Sequence, residues 1–359
     1  MNNLTILVDG GWHMMRNVFH FEKGFRTSNS DAIKQATAQE FEETLARSFI
    51  KILNQFPFAD NIILMTEGGS WRKSITIPKH LQQQEITYKG NRVKREEVDW
   101  SYVYKAYANF SDGVAKAGIT HSVVPQAEGD DLIWYWSRRL NKMGINTLIW
   151  SLDCDLKQLV QVDGNAFTVW YNEKNGLVLP AQCEWPKDVL EAMQHPPFQS
   201  EVLTKLISRV KNCTYINPDS IVINKILCGD AGDNIKPIVQ YQKNGRNYGF
   251  ANRDYEAAVK DLKLYNMSDL LFEDCKLPSY ICNIKRFKPY NFTEQLVTEM
   301  LHYNTKLVWL NESTVPKKLV EKMDQIEYLH PDVTQIRNNY RTIMGKNETI
   351  EDIFNGISV

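Results

Sequence analysis

The sequence predicts an α/β fold with a mostly parallel central sheet. Three observations point to it. Short apolar runs, LTILV from Leu4 to Val8, NIILM from Asn61 to Met65 and NTLIWSL from Asn146 to Leu152, have the length of buried strands. Stretches of helical character lie between them. Each run also ends at an acid: Asp9 after the first, Glu67 just past the second, Asp153 and Asp155 after the third. A parallel strand delivers the residues after it to the sheet's carboxyl edge, where open α/β sheets bind ligands.

Composition sets the outer limits. A chain of 359 residues makes one large domain or two ordinary ones. The net charge of -1 leaves nucleic-acid binding undecided, because a basic surface is hidden if an acidic pocket cancels it. The six cysteines form no C-x-x-C pair and read as reduced thiols of a cytosolic protein. The first apolar run is short and meets Asp9, so no signal peptide is expected, and no run is long enough to span a membrane. There is no internal repeat.

The elements follow in order. Asp9 precedes Gly10-Gly11 and fits a helix cap as well as an edge carboxylate. Asp31 to about Phe56 is helical, with Phe41, Leu45, Phe49, Ile52 and Leu53 apolar. Gly68 to about Val98 lacks core periodicity. It carries Arg72, Lys73, Lys79, Lys89, Arg92, Lys94 and Arg95, with Trp71, Tyr88 and Trp100 interleaved. Such an insertion suits phosphate and base contact. A solvated helix with Glu96 and Glu97 paired to lysines fits the same residues. A helix from Val98 to Ala117 and a strand from Thr120 to Val124 come next.

Glu128, Asp130 and Asp131 then open a helix that runs to about Lys142 and stops at Gly144. Acids there suit the helix dipole alone. Together with Asp153 and Asp155 they are also candidates for one small volume, and crowded like charges are costly unless a cation neutralises them. Without an interleaved His or Cys pair, the ligands suggest magnesium or manganese rather than zinc.

After Asp155 the sequence reads as a short helix, DLKQLV, then a hairpin of Phe167 to Tyr171 and Gly176 to Leu179 turning at Asn175-Gly176. Helices are expected at Ser200 to Val210 and Ser220 to Leu227. In CGDAGDNI, Asp230 and Asp233 are three apart, which in a helical turn puts both carboxylates on one face. YQKNGRNYGFANRDY, from Tyr241, reads as a basic, aromatic loop or linker. Ala257 onward is mostly helical, with segments near Asp269, from Asn291 to Leu310 and from Val315 to Met323. Lys285, Arg286 and Lys288 read as solvated surface.

Five features stand in a telling order: Asp9 at the first strand tip, YKGNR at Tyr88 to Arg92, AEGDD at Ala127 to Asp131, LDCD at Leu152 to Asp155, and GDAGDNI at Gly229 to Ile235. Together they resemble the 5′-nuclease superfamily of flap endonucleases and 5′–3′ exonucleases. WRK, YKGNR and REE-x-DW look most like the T-even bacteriophage ribonuclease H branch. The resemblance covers residues 4 to 237. It implies a PIN-like nuclease core over 1–237 with a helical arch insertion at about 68–100, and a helix-three-turn-helix after the last acid pair. A mostly helical region over 238–359 is left to bind DNA or a partner.

The resemblance also implies roles. Asp9, Glu67, Glu128 and Asp130 fall around a first metal ion, and Asp131 extends that cluster. Asp153, Asp155, Asp230 and Asp233 fall around a second. Lys89 and Arg92 match the catalytic basic pair at the base of the arch, and three residues apart they fit one helical face. Arg72, Lys73, Lys94, Arg95, Lys243 and Arg246 are the expected nucleic-acid contacts. Two departures stand out. Glu67 replaces the family's usual Asp, and KPIVQYQKNGRNYGF replaces its Gly-x-Gly-x-Lys hairpin. The second puts a potassium-assisted grip on duplex DNA in question and leaves Lys243, Arg246 and Arg253 as other backbone contacts.

The expected activity is that of a phosphodiester hydrolase with two divalent cations, magnesium or, in its place, manganese. Its expected substrates are DNA with a 5′ flap, nick or free end and RNA–DNA hybrid, and its task is to remove RNA primers or 5′ flaps in lagging-strand replication. A monomer in the cytoplasm, the host's if phage-encoded, with a single-stranded-DNA-binding protein as a candidate partner, completes the expectation. Two rivals fit less well. A PIN-type single-strand ribonuclease leaves YKGNR and GDAGDN unexplained. A non-catalytic DNA-binding module conflicts with the intact acid set.

Overall fold

The computed structural model describes residues 3–79, 87–92, 95–181, 200–271, 275–343 and 354. In chain order they form β1 (Leu4–Asp9), α1 (Gly10–Phe21), α2 (Asp31–Gln55), β2 (Asn61–Thr66), α3 (Trp100–Lys116), β3 (Thr120–Val123), α4 (Gly129–Lys142), β4 (Asn146–Trp150), β5 (Gln161–Asp163), β6 (Ala166–Asn172), β7 (Gly176–Pro180), α5 (Glu201–Ser208) and β8 (Cys213–Ile216). There follow α6 (Pro218–Cys228), β9 (Gln240–Lys243), β10 (Arg246–Gly249), α7 (Asn252–Leu262), α8 (Met267–Leu271), α9 (Leu277–Asn283), α10 (Glu294–Val308), α11 (Lys317–Asp324) and α12 (Val333–Ile343).

The chain divides into two compact units. The first draws on Met1–Gly69, Lys94–Ile216 and Lys317–Val359, the second on Ser70–Val93 and Asn217–Pro316. The units interleave along the chain, whereas the sequence reading divides it once, at 237. No helix among the described residues is long and apolar enough to cross a membrane.

The first unit is built on an eight-stranded sheet of order β3-β2-β1-β4-β6-β7-β8, with β5 paired to β6. The pairs β1–β2, β1–β4, β2–β3, β4–β6 and β7–β8 are parallel, and β5–β6 and β6–β7 are antiparallel. Leu7 lies opposite Ile63 and Ile149. β1 and β4 are buried along their whole length, as parallel strands covered on both faces must be. Helix α2 turns the expected residues, Phe41, Leu45, Phe49, Ile52 and Leu53, into this core. The chain's end is tied to the same helix. Arg337 of α12 is buried and donates to the carbonyls of Leu53 at 3.1 Å and Ala59 at 2.8 Å, which lie at and beyond the end of α2.

The second unit has its own core, in which Val222, Ile226 and Leu227 pack with Ile281, Phe287, Val297 and Met300. Three local readings change. DLKQLV lies in a 3-10 helix, Cys154–Leu159. The four-residue strand β8 is too short to show a period. The stretch from Gln240 to Gly249 is a hairpin rather than a loop. Asn244 and Gly245 take φ of 52° and 73°, as a two-residue turn with the twist of its strands requires.

One buried group makes the first unit sensitive to acid. His13 of α1 is fully buried against Phe49, Phe110 and Trp150, with Nε2 2.7 Å from the Ser48 hydroxyl. Burial, aided by Arg16, lowers its pKa from 6.5 to about 3. The unfolded chain therefore takes up the proton first. The stability that neutral His13 confers is complete above 6.5 and is lost as pH falls toward 3. Between about pH 7 and pH 5 the loss amounts to about 2 kcal/mol. Urea titrations should show a smaller drop over that interval for His13→Gln than for the parent. An identical drop would show that another group is responsible.

Candidate active site

The sheet has one topological switch point. From β1 the chain steps out to β2 and β3, then returns to β4 on the other side of β1. The carboxyl ends of β1 and β4 therefore border the crevice where such sheets bind ligands. Asp9 is the last residue of β1 and only 7% exposed. Its Oδ1 accepts the Trp12 N–H at 3.0 Å, capping α1, and its Oδ2 accepts the Ser151 hydroxyl at 2.6 Å. The same hydroxyl oxygen accepts the N–H of Asp153 at 2.9 Å. Asp9 is thus both cap and edge carboxylate. Burial pushes its pKa up to about 6. The bonds from Ser151 and Trp12 oppose that rise, and the charges of Asp153 and Glu67 add to it.

The neighbouring strand ends are pinned. The Gly68 N–H donates to the Ala127 carbonyl, and the Gln126 N–H to the Gly68 carbonyl, both at 2.9 Å. A Cβ on Gly68 would sit 2.0 Å from the Val124 carbonyl oxygen, so the approach requires glycine. Gly10 is equally confined, its Cβ position 2.3 Å from the Met65 carbonyl oxygen and the Tyr107 hydroxyl. These contacts hold Glu67, which is exposed, after β2, and Glu128, which is buried, at the start of α4. Asp131 is fully buried and accepts the Glu128 N–H at 3.0 Å, closing a capping box. That bond ties one oxygen of the expected cluster extension to the helix end. Asp130 is half-buried, and Asp153 accepts the Asp155 N–H at 2.8 Å to start the 3-10 turn. The charges of Asp153 and Glu67 reach the buried Asp9, and carboxylate oxygens are the donors that a hard divalent cation takes. Asp9, Glu67, Glu128, Asp130, Asp153 and Asp155 are the residues of this unit that would hold it.

In the second unit the two remaining motifs interlock. Helix α6 ends at Gly229, whose φ of 75° breaks it. Asp230 and Ile235 then exchange backbone hydrogen bonds at 2.9 and 2.7 Å. Asp230 and Asp233 therefore sit in a closed turn, not in the helical turn their spacing suggested. Burial would raise the Asp230 carboxyl, but the Lys225 ammonium 2.6 Å away and the Gly232 N–H outweigh it and hold the pKa below the ordinary range. Asp233 accepts Arg92 at 2.5 Å and the Tyr88 hydroxyl at 3.3 Å, and its carbonyl accepts the Lys89 N–H at 2.9 Å. The Asn91 amide donates to the Ala231 carbonyl at 2.7 Å, and the Asn234 amide to the Thr87 carbonyl at 2.9 Å. Lys89 has a φ of 56°, so Lys89 and Arg92 do not share a helical face.

Comparison with known proteins agrees with this architecture. No family model matches the chain. A curated 5′-3′ exonuclease of Mycoplasmopsis pulmonis (strain UAB CTIP) is 24% identical over 327 residues, 90% of this chain and 85% of that protein. The bacteriophage T5 flap endonuclease, in a complex with DNA and metal ions, aligns over 94% of this chain and 100% of that one, with a TM-score of 0.53 and 16% identity. The T5 5′-exonuclease with zinc bound gives a TM-score of 0.54 at 15% identity, over 93% and 100% of the two chains. The fold is that of the T5 flap endonuclease and 5′-exonuclease structures.

The residues expected to bind nucleic acid fare unevenly on this fold. Arg72 is corrected: it is 2% exposed, its Nε donates to the Leu307 carbonyl at 3.0 Å, and its guanidinium stacks on Trp71. It anchors the core of the second unit. Lys73 is exposed on the 3-10 turn Trp71–Ser74. Arg95 pairs with Glu22 and lies over Phe19. Lys243 and Arg246 are exposed on the β9–β10 hairpin. Lys94, with residues 80–86 and 93 of the expected arch, lies outside the described residues. Sequence reasoning missed Ser151, whose only signal is a small polar residue directly after a buried strand.

Ser151 joins the carboxylate of Asp9 to the backbone N–H of Asp153, so its hydroxyl orients a group that would bind the cation. Ser151→Ala should weaken divalent-cation affinity about 10–100-fold, as loss of an outer partner does. Calorimetric titration with manganese measures it. Parent-like affinity would remove Ser151 from the site.

Proposed function

We propose that this chain is a divalent-cation-dependent 5′-nuclease, a phosphodiester hydrolase that removes 5′ flaps and RNA primers in lagging-strand replication. One observation carries the reading: the buried Asp9, joined through Ser151 to Asp153, stands at the switch point of a fold shared with flap endonucleases and 5′-exonucleases. The names of those relatives supply DNA as the substrate class. The likeness of WRK, YKGNR and REE-x-DW to the ribonuclease H branch supports RNA–DNA hybrid as a second substrate.

The carboxylates would hold two magnesium ions, or manganese in their place, which when bound would supply polarisation of the scissile phosphate and a water of lowered pKa. The protein's part is orientation. Asp9 and Asp153 are fixed by the sheet, with Ser151 setting the carboxylate plane of Asp9. Asp230 and Asp233 are held by the interlocked turns of their own unit, where Lys225 and Arg92 balance their charge. Lys89 and Arg92 neutralise phosphate as negative charge develops in the transition state.

A magnesium-dependent cleavage assay on 5′-labelled flap, nicked duplex and RNA–DNA hybrid tests the proposal. Asp9→Asn and Asp153→Asn should each slow single-turnover cleavage by about 100-fold or more while the protein stays folded. Parent-like rates in both would sink the carboxylate site. Lys89→Gln should slow the same step with little change in DNA affinity, since many other cations contact the backbone. A normal single-turnover rate would remove Lys89 from the chemistry.

A further inference from the structure

Glu67 is carried on the short segment that follows β2, and its charge reaches the buried Asp9. Beyond it the chain is held by the backbone bonds of Gly68 with Ala127 and Gln126. Before it the chain is held by side chains. Thr66, the last residue of β2, has its hydroxyl 2.9 Å from Nε2 of His121 and 3.3 Å from the hydroxyl of Tyr107. His121 lies on β3 opposite Leu64. Leu64 and Thr66 are two residues apart, so the imidazole and the Thr66 hydroxyl share one face of the sheet. Helix α3 brings Tyr107 to the same place.

Tyr107 also meets the first strand. Its hydroxyl lies 2.3 Å from where a Cβ on Gly10 would stand, so it packs against the residue that follows Asp9, and only glycine leaves it room. Tyr107 is buried in the core that holds Val103, Ala106 and Phe110. Phe at this position would serve those apolar neighbours as well, and a buried hydroxyl is costly unless it is bonded. Once bonded, such a group fixes one arrangement of its partners. What the Tyr107 hydroxyl fixes is the end of β1, at Gly10, against the end of β2, at Thr66. The acids expected to face one cation, Asp9 and Glu67, are the immediate chain neighbours of those two residues.

We propose that Tyr107 is a positioning residue: through the Thr66 hydroxyl it sets Glu67 relative to Asp9, so that both carboxylates reach one divalent cation. His121 holds Thr66 from the other side. The inference rests on the nuclease reading above and adds to it the side chains that set one pair of its carboxylates.

The test is calorimetric titration of the full-length protein with manganese alone, with the melting temperature measured beside it. Tyr107→Phe removes one hydroxyl, and Thr66→Val exchanges a hydroxyl for a methyl. Each should weaken manganese binding about 10-fold, the lower end of what losing an outer partner costs, while melting close to the parent. Thr66→Ser restores the hydroxyl and should bind as the parent does. Glu67→Gln should itself weaken binding. Adding Tyr107→Phe to it should cost nothing more, because the carboxylate that Tyr107 positions is gone. Parent-like affinity in both Tyr107→Phe and Thr66→Val overturns the inference. So does a further loss in the double variant as large as in the parent background, which would place the effect of Tyr107 elsewhere. If Tyr107→Phe melts far below the parent, Thr66→Val and its rescue by Thr66→Ser decide instead. Asp9→Asn separates the two readings. If it abolishes binding while Glu67→Gln binds as the parent does, the inference alone falls. If Asp9→Asn also binds as the parent does, the carboxylate site of the nuclease reading falls with it.

Discussion

The structure of the candidate site depends on how one carboxylate is kept in place. Asp9 lies at the end of a strand buried on both faces, with 7% of its surface exposed. A buried carboxylate is costly unless its oxygens are bonded. Here one oxygen takes the Trp12 N–H in the first turn of α1 and the other takes the Ser151 hydroxyl from the adjacent strand end. Those bonds only partly offset burial and the nearby charges of Asp153 and Glu67, so the group remains easier to protonate than a surface aspartate. A cation in the same volume would relieve both penalties. Affinity for a cation and the cost of burying the acid would thus have one origin.

The rest of the first unit meets this constraint with backbone rather than side chains. Gly10 and Gly68 let neighbouring strand ends approach to distances that a Cβ would forbid. The mutual hydrogen bonds of Gly68, Gln126 and Ala127 then hold the ends of β2 and β3 together. The acids are carried on short segments leaving a rigid sheet, which suits a site that must hold its geometry while its charges repel.

The second unit solves a related problem by pairing. Asp230 is balanced by Lys225 and Asp233 by Arg92. Two asparagine amides fasten the YKGNR turn to the GDAGDN turn. Segments about 140 residues apart in sequence become one local structure, and the positive φ values of Lys89 and Asn234 record how tightly each is bent. Cations and acids that the sequence reading assigned to different tasks are therefore mechanically coupled.

Much was legible in one dimension. Apolar runs of strand length, each closed by an acid, were enough for the parallel sheet and its carboxyl edge, because a strand buried on both faces reads as a near-continuous apolar run. The helix at α2 followed from its apolar spacing and the end of α4 from the stop signal at Gly144. The hairpin at Asn244-Gly245 was read as a loop or linker, although the same dipeptide signal marked Asn175-Gly176, because its strands are polar. Other features were not. The conformation of Lys89, the burial of Arg72 and the turn holding Asp230 and Asp233 depend on partners distant in sequence. The bridging role of Ser151 exists only because β4 lies beside β1, and the return of the last helices to the first unit leaves no periodic trace. Sequence alone determined which residues carry the charge and which strands deliver it. Tertiary structure decided which of those charges are buried, bonded or free, because burial and hydrogen bonding are properties of neighbours that the chain meets only after it folds.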